Sequence, residues 1–217
     1  MPSQKDTAGE DGATKKHDFS STQLNLPKDV ADATRAASMK IPDADLAEDG
    51  RETDPHITVK YGLHTEDPEA VRAAIGDTGP IPVTLGKTSI FKGEKADVVK
   101  AEVASPELHA LNKRIADALP HTDTHPKYQP HVTLAYVKPG LGEKYVGMRD
   151  LEGKRITLDR VTFSDRSGKT TDVPLTAGRV GPPPEEVANP KGMPKGQGRK
   201  PAERQPWSRA DLEARIA

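Results

Sequence analysis

The 217-residue chain contains no cysteine. That removes disulfides, zinc-thiolate sites and a thiol nucleophile together, and it suits a reducing compartment. No apolar run approaches the roughly 20 residues of a membrane-spanning helix. Met1 to Lys16 is polar and charged, without the apolar core of a signal peptide. A soluble, cytoplasmic protein without membrane contact is therefore expected. Hydrophobic residues make up only 33% of the chain and the net charge is −1. No overall field draws in long nucleic acid, and no DNA partner is expected. A small anionic ligand held by local groups fits that balance better. Also missing are the GxSxG, Walker and dinucleotide fingerprints; Gly140-Leu141-Gly142 lacks both the third glycine and the strand-turn-helix setting.

What is present concentrates between about residues 20 and 176. Residues 1–17 carry Gly, Asp, Glu, Lys and Thr without periodicity and read as a disordered arm; residues 18–178 read as one domain. From Gly181-Pro182-Pro183-Pro184 onward, residues 179–217 form a Pro/Gly/Lys-rich tail. Only Ser208 to Ala217, next to the single Trp207, has the pattern of a short helix.

Within the domain, Ser21 to Leu26 suits a strand, and Pro27 and Asp29 suit a helix start followed by Val30, Ala33, Thr34 and Ala37. Residues 41–55 are acidic and rich in proline and glycine, which predicts a loop. A short helix runs from Asp67-Pro68 to about Ala74, with Gly76 as its stop. Ile81 to Phe91 and Ala96 to Ala104 read as an antiparallel pair, and Ser105-Pro106-Glu107 opens an amphipathic helix carrying Leu108, Leu111, Ile115 and Leu119. His121 to Gln129 reads as a loop; Ile156 to Phe163 and Val173 to Leu175 read as later strands.

Two heptapeptides nearly repeat: Pro55-His56-Ile57-Thr58-Val59-Lys60-Tyr61 and Pro130-His131-Val132-Thr133-Leu134-Ala135-Tyr136. Both are rich in β-branched and aromatic residues, so both read as strands. Strand alternation puts His56 and Thr58 on one face, and His131 and Thr133 likewise, with the aliphatic residues opposite. The same parity places Lys60 beside His56 as a phosphate contact, and sends Tyr61 and Tyr136 to the core side. The competing account is a repeated strand whose His and Thr hydrogen-bond inside a core. Burying two imidazoles and two hydroxyls is a costly way to build one. A helix before each motif makes a duplicated α+β architecture of two lobes the expected fold: antiparallel sheets with flanking helices around a central cleft.

The paired motifs resemble the 2H phosphoesterase superfamily, also called the 2′-5′ RNA ligase-like group, whose signature is one His-x-(Thr/Ser)-x motif in each of two lobes. His56/Thr58 and His131/Thr133 match it position by position. The segment from Ile41 to Leu63 is similar to phage anti-CBASS nucleases, which degrade the cyclic oligonucleotides that bacteria use to signal infection. The resemblance implies a phosphodiesterase acting on cyclic di- or trinucleotides in the host bacterial cytoplasm, with no cofactor and no metal. His56 and His131 would be the acid-base pair, and Thr58 and Thr133 would hold the phosphate oxygens. Which histidine is acid and which is base stays open.

Other features carry less. His121 and His125 are bracketed by Pro120 and Pro126, which argues against a shared helix face for zinc. His64 and His109 read as surface residues, and Phe91 and Trp207 as possible base stackers. Two further functions remain in view: processing of RNA ends with 2′,3′-cyclic phosphates or 2′-5′ linkages, and nucleotide binding without cleavage, as a sponge or virion module.

Overall fold

A computed structural model describes residues 17–123 and 127–176. The expected N-terminal arm up to residue 16, His125, and the C-terminal tail with Trp207 lie outside the described residues. The strands are β1 (Ser20–Asn25), β2 (Leu46–Arg51), β3 (His56–Leu63), β4 (Ile81–Phe91), β5 (Asp97–Ala104), β6 (His131–Val137), β7 (Arg155–Leu158), β8 (Arg160–Ser164) and β9 (Thr170–Pro174). The helices are α1 (Lys28–Ser38), α2 (Pro68–Ile75) and α3 (Pro106–Ala118). No described helix is long and apolar enough to cross a membrane.

The strands join into one antiparallel sheet in the order β7-β4-β5-β6-β3-β1-β8-β9, with β2 attached to β6 off this path. The expected α+β fold of antiparallel strands and flanking helices is present, with the two lobes' strands continuous: each half supplies four strands of this path, and the halves meet at β3 and β6 through the pair Ile57–Val132. Each half contains the same unit, a strand, a helix and a His strand: β1-α1-β3 and β5-α3-β6. The helices cross over, α1 packing on β6 and α3 on β3, which locks the halves together.

The expected strand Ile156 to Phe163 is two strands instead. Only Asp159 separates β7 from β8, yet β7 and β8 lie six positions apart in the sheet. A flat sheet would put them roughly 29 Å apart at about 4.8 Å per strand. Two Cα–Cα steps span no more than about 7 Å. The sheet therefore curls back on itself into a half-barrel.

Residues 41–55, expected as a loop, contain β2 and a short 3₁₀ turn at Asp43–Asp45. The strand is acidic because it covers one edge rather than a core face: Leu46 pairs with Val137, and Arg51 with Ala135. Arg51 anchors it, with Nε donating to the Ser38 carbonyl and Nη1 paired with Asp43 at 2.7 Å.

The core is continuous. Leu24, Ile57, Val59, Leu108, Leu111, Ile115, Val132, Leu134 and Phe163 are essentially inaccessible. Each such aliphatic side chain contributes about 1.5–3 kcal/mol by leaving water. Helix ends follow the expected chemistry: the Ser105 hydroxyl accepts from Leu108 N at 3.1 Å, and the Asp67 carboxylate from Glu69 N at 2.9 Å.

Candidate active site

The two His strands present their motifs on the sheet face opposite the core. Along β3, His56 and Thr58 are part-exposed while Ile57 and Val59 are buried; along β6, His131 and Thr133 are part-exposed while Val132 and Leu134 are buried. The antiparallel pair Ile57–Val132 lies at the centre. One step to either side sets His56 across from Thr133, and Thr58 across from His131. The two imidazoles then sit on a diagonal, the residues roughly 7–8 Å apart by ordinary sheet geometry and their Cβ atoms somewhat closer. That gap suits a phosphate group.

Both rings are held the same way. His56 Nδ1 lies 2.8 Å from the main-chain carbonyl of Asp54, and His131 Nδ1 lies 2.8 Å from that of Gln129. A carbonyl only accepts, so each Nδ1 carries its hydrogen and donates. Proton exchange falls to Nε2. The bond from Nδ1 persists whether Nε2 is protonated or not, so either ring can change charge without turning.

Parity fails beyond Thr58 and Thr133, and for the same reason in both strands. Thr22 pairs with Lys60 and Gln23 with Thr58, so β3 has one residue more than β1 across this step. Lys100 pairs with Thr133 and Val99 with Ala135, so β6 has one residue more than β5. Each is a β-bulge, which reverses the alternation after it. Lys60, expected beside His56, instead lies across from buried Thr22 on the core side. It is 8% exposed, and its ammonium donates to Asp123 Oδ1 at 2.6 Å. That ammonium holds the Asp123 carboxyl below its ordinary pKa range.

Tyr61 and Tyr136, expected in the core, move to the histidine face. Tyr61 is 39% exposed, with its ring edge against Phe19. Tyr136 is partly buried; burial, with the charges of Glu52 and Asp49, pushes its phenol up.

The structure also brings residues to this face that the motif does not announce. Lys100 stands across from Thr133, and Glu102 across from His131. Lys100 Nζ lies 2.8 Å from Ser89 Oγ and 4.1 Å from the Phe91 ring centre. The Phe91 ring meets His131 edge-on at 5.0 Å. A cavity of about 390 Å³ beside the second motif is lined by Gly86, Lys100, Glu102, Tyr128 and Gln129 among others. A strand-pairing argument finds Lys100 only once the register with β6 is known.

Of the remaining histidines, His109 lines that cavity, while His64 and His121 make other contacts. His64 bonds the Thr122 hydroxyl and stacks on Phe19. His109 meets Tyr128 edge-on, and His121 Nδ1 bonds the Leu119 carbonyl. Among the described residues no cluster of three His, Cys, Asp or Glu side chains is placed to hold a metal ion.

A model of the 2′-5′ RNA ligase superfamily matches residues 27–170. The chain belongs to this superfamily. The matched span contains both His-x-Thr motifs and all three helices. The structure is similar to the crystal structure of TT0787 of Thermus thermophilus, at 17% identity over 74% of this chain and 100% of that one, with a TM-score of 0.56. It also matches the apo crystal structure of LigT from E. coli, at 18% identity over 74% and 96% of the two chains, with a TM-score of 0.48. At these identities the likeness is one of fold. No curated protein matches the sequence.

Proposed function

We propose that the chain is a metal-independent phosphodiesterase that cleaves 3′-5′ bonds of cyclic oligonucleotides. One observation carries this reading: two imidazoles, each fixed through Nδ1 to a carbonyl two residues back, face one surface with a threonine beside each. A neutral ring takes the proton of a ribose 2′-OH at Nε2 as that oxygen attacks phosphorus. The other ring, as imidazolium, delivers a proton from Nε2 to the departing 5′-oxygen. The bond to the 5′-oxygen breaks as the new P–O bond forms, leaving a 2′,3′-cyclic phosphate and a 5′-hydroxyl. Thr58 and Thr133 donate to the non-bridging oxygens as their charge builds.

Cyclic di- or trinucleotides are the proposed substrates because the segment from Ile41 to Leu63 resembles phage anti-CBASS nucleases. The biological role would then be to remove an infection signal in the bacterial cytoplasm. The second reading, opening of 2′,3′-cyclic phosphates or handling of 2′-5′ linkages at RNA ends, uses the same imidazole pair, and the matching family is described as the 2′-5′ RNA ligase superfamily.

The test is a panel of 3′-5′ cyclic dinucleotides and trinucleotides, and a short RNA ending in a 2′,3′-cyclic phosphate, incubated in excess EDTA and read by mass spectrometry. Linearised products from the cyclic panel are expected. Conversion of the RNA end alone moves the substrate to RNA. Tight binding of a cyclic nucleotide without any product overturns the enzymatic reading.

A further inference from the structure

The pseudo-twofold symmetry that relates the two motifs breaks in their flanking strands. Across from Thr58 stands Gln23, and across from His56 stands Asn25; these two neutral amides bond each other at 2.7 Å. The equivalent positions beside the second motif hold two charges, Lys100 across from Thr133 and Glu102 across from His131. Any anion bound between the motifs therefore meets a fixed cation on one side only.

Lys100 is 5% exposed, so little of the residue meets bulk water. What it gains within reach is neutral: the Ser89 hydroxyl and the face of Phe91. Among the described residues Lys100 forms no ion pair, and Glu102 is the carboxylate whose charge reaches it. Burial accordingly pulls the Lys100 pKa down. An ammonium in such a place is expensive to keep without a partner. A cation over a ring, with one hydroxyl, offsets part of that cost. The row Ser89, Lys100, Thr133 runs straight across three adjacent strands to the face that carries His131.

We propose that Lys100 is a substrate-binding residue whose ammonium pairs with a non-bridging oxygen of the phosphodiester held by Thr133, making the second motif the charge-bearing half of the site. This assignment rests on the phosphodiesterase reading. It adds that the phosphate sits off the pseudo-twofold axis, toward β5. As the phosphorus becomes five-coordinate, the added negative charge falls on oxygens facing Lys100, so the contact strengthens in the transition state.

The test separates this assignment from the activity itself by using inorganic phosphate as the probe. Phosphate is titrated into the full-length protein, and binding is followed by the imidazole NMR shifts of His56 and His131. The same titration is run on Lys100→Met and Lys100→Arg, with thermal melts of all three. Expected are a phosphate Kd at least tenfold weaker in Lys100→Met, substantial recovery in Lys100→Arg, and a Lys100→Met melting temperature no lower than that of the parent. A melting temperature that holds or rises is the mark of a buried charge kept for binding rather than for stability. With an active substrate, kcat/KM should fall about 100- to 1000-fold in Lys100→Met. Equal phosphate affinity in parent and Lys100→Met would overturn the proposal, as would no phosphate binding by the parent. Lys100-dependent phosphate binding in a protein that turns over no nucleotide would keep this assignment and remove the proposed activity. Turnover with phosphate affinity indifferent to Lys100 would do the reverse.

Discussion

The hydroxyl of Tyr128 donates to the main-chain carbonyl of Thr58 at 2.9 Å. Tyr128 lies three residues before His131, so the approach to the second motif is tied to the strand that carries the first. Burial pushes the phenol well above its ordinary pKa, keeping it a neutral donor. Tyr128→Phe removes the donor and leaves the ring, so unfolding free energy should fall by about 0.5–1.5 kcal/mol. Because the register of the two His strands loosens, kcat should fall more than KM changes. Urea denaturation and steady-state kinetics check the two parts.

The same loop approaches β3 at Gly62. Its φ is +86°, and a Cβ there would overlap the Thr122 carbonyl oxygen. The Thr122 amide donates to the Gly62 carbonyl at 2.8 Å, so the contact is part of the fold. Gly62→Ala combines left-handed strain with a backbone clash and should cost more than about 1–3 kcal/mol. A denaturation midpoint unchanged from the parent would show that the loop does not sit where described.

Lys60 and Lys100 make a paired control. Lys60 is on the core side, bonded to Asp123. Lys60→Met should therefore leave kcat/KM within about threefold, the scale of an indirect effect well below that of a lost transition-state contact. The pair has an acid signature instead. The Asp123 pKa is lowered in the folded chain, so its contribution to stability is full above the unfolded carboxylate pKa. It is lost as pH falls through the lower folded value. Melting curves at descending pH should show this loss in the parent and not in Lys60→Met. A collapse of turnover in Lys60→Met would contradict the bulge-based placement.

The threonines should matter less than the histidines. In the proposed mechanism Thr58→Ala and Thr133→Ala would each remove one donor to the phosphate, so each should lower kcat about tenfold to a thousandfold. Serine at either position, which keeps the hydroxyl, should restore most of it. Single-turnover rates of the alanine and serine variants decide this.

Much of this arrangement was legible in residue order alone. Period-two alternation placed His56 with Thr58 and His131 with Thr133, and the 3.6-residue spacing of Leu108, Leu111 and Ile115 located α3. The hidden parts all depend on a partner strand. The extra residue at Val59–Lys60 or Leu134–Ala135 has no local mark, because a bulge is a mismatch between two strands. Those bulges are the reason Lys60, Tyr61 and Tyr136 lie on the faces opposite to the ones simple alternation predicts. β2 escaped because an edge strand next to solvent needs no apolar stripe, and the break at Asp159 because β7 and β8 are each stabilised by a different distant neighbour. Lys100 reads as an ordinary strand lysine until β5 is set beside β6.

The most direct test of the paired-imidazole account uses one substrate in two forms: a dinucleotide with a normal 5′-oxygen leaving group, and the same dinucleotide with a 5′-sulfur leaving group that departs without a proton. His56→Ala and His131→Ala are each assayed on both, in excess EDTA. On the oxygen substrate each variant should lose about 100- to 10,000-fold, the usual range for general acid-base catalysis. On the sulfur substrate one variant, which lacks the acid, should regain most of its rate, while the variant lacking the base should not. Equal rescue of both, rescue of neither, or full activity of either variant on the oxygen substrate would contradict a division of labour between His56 and His131.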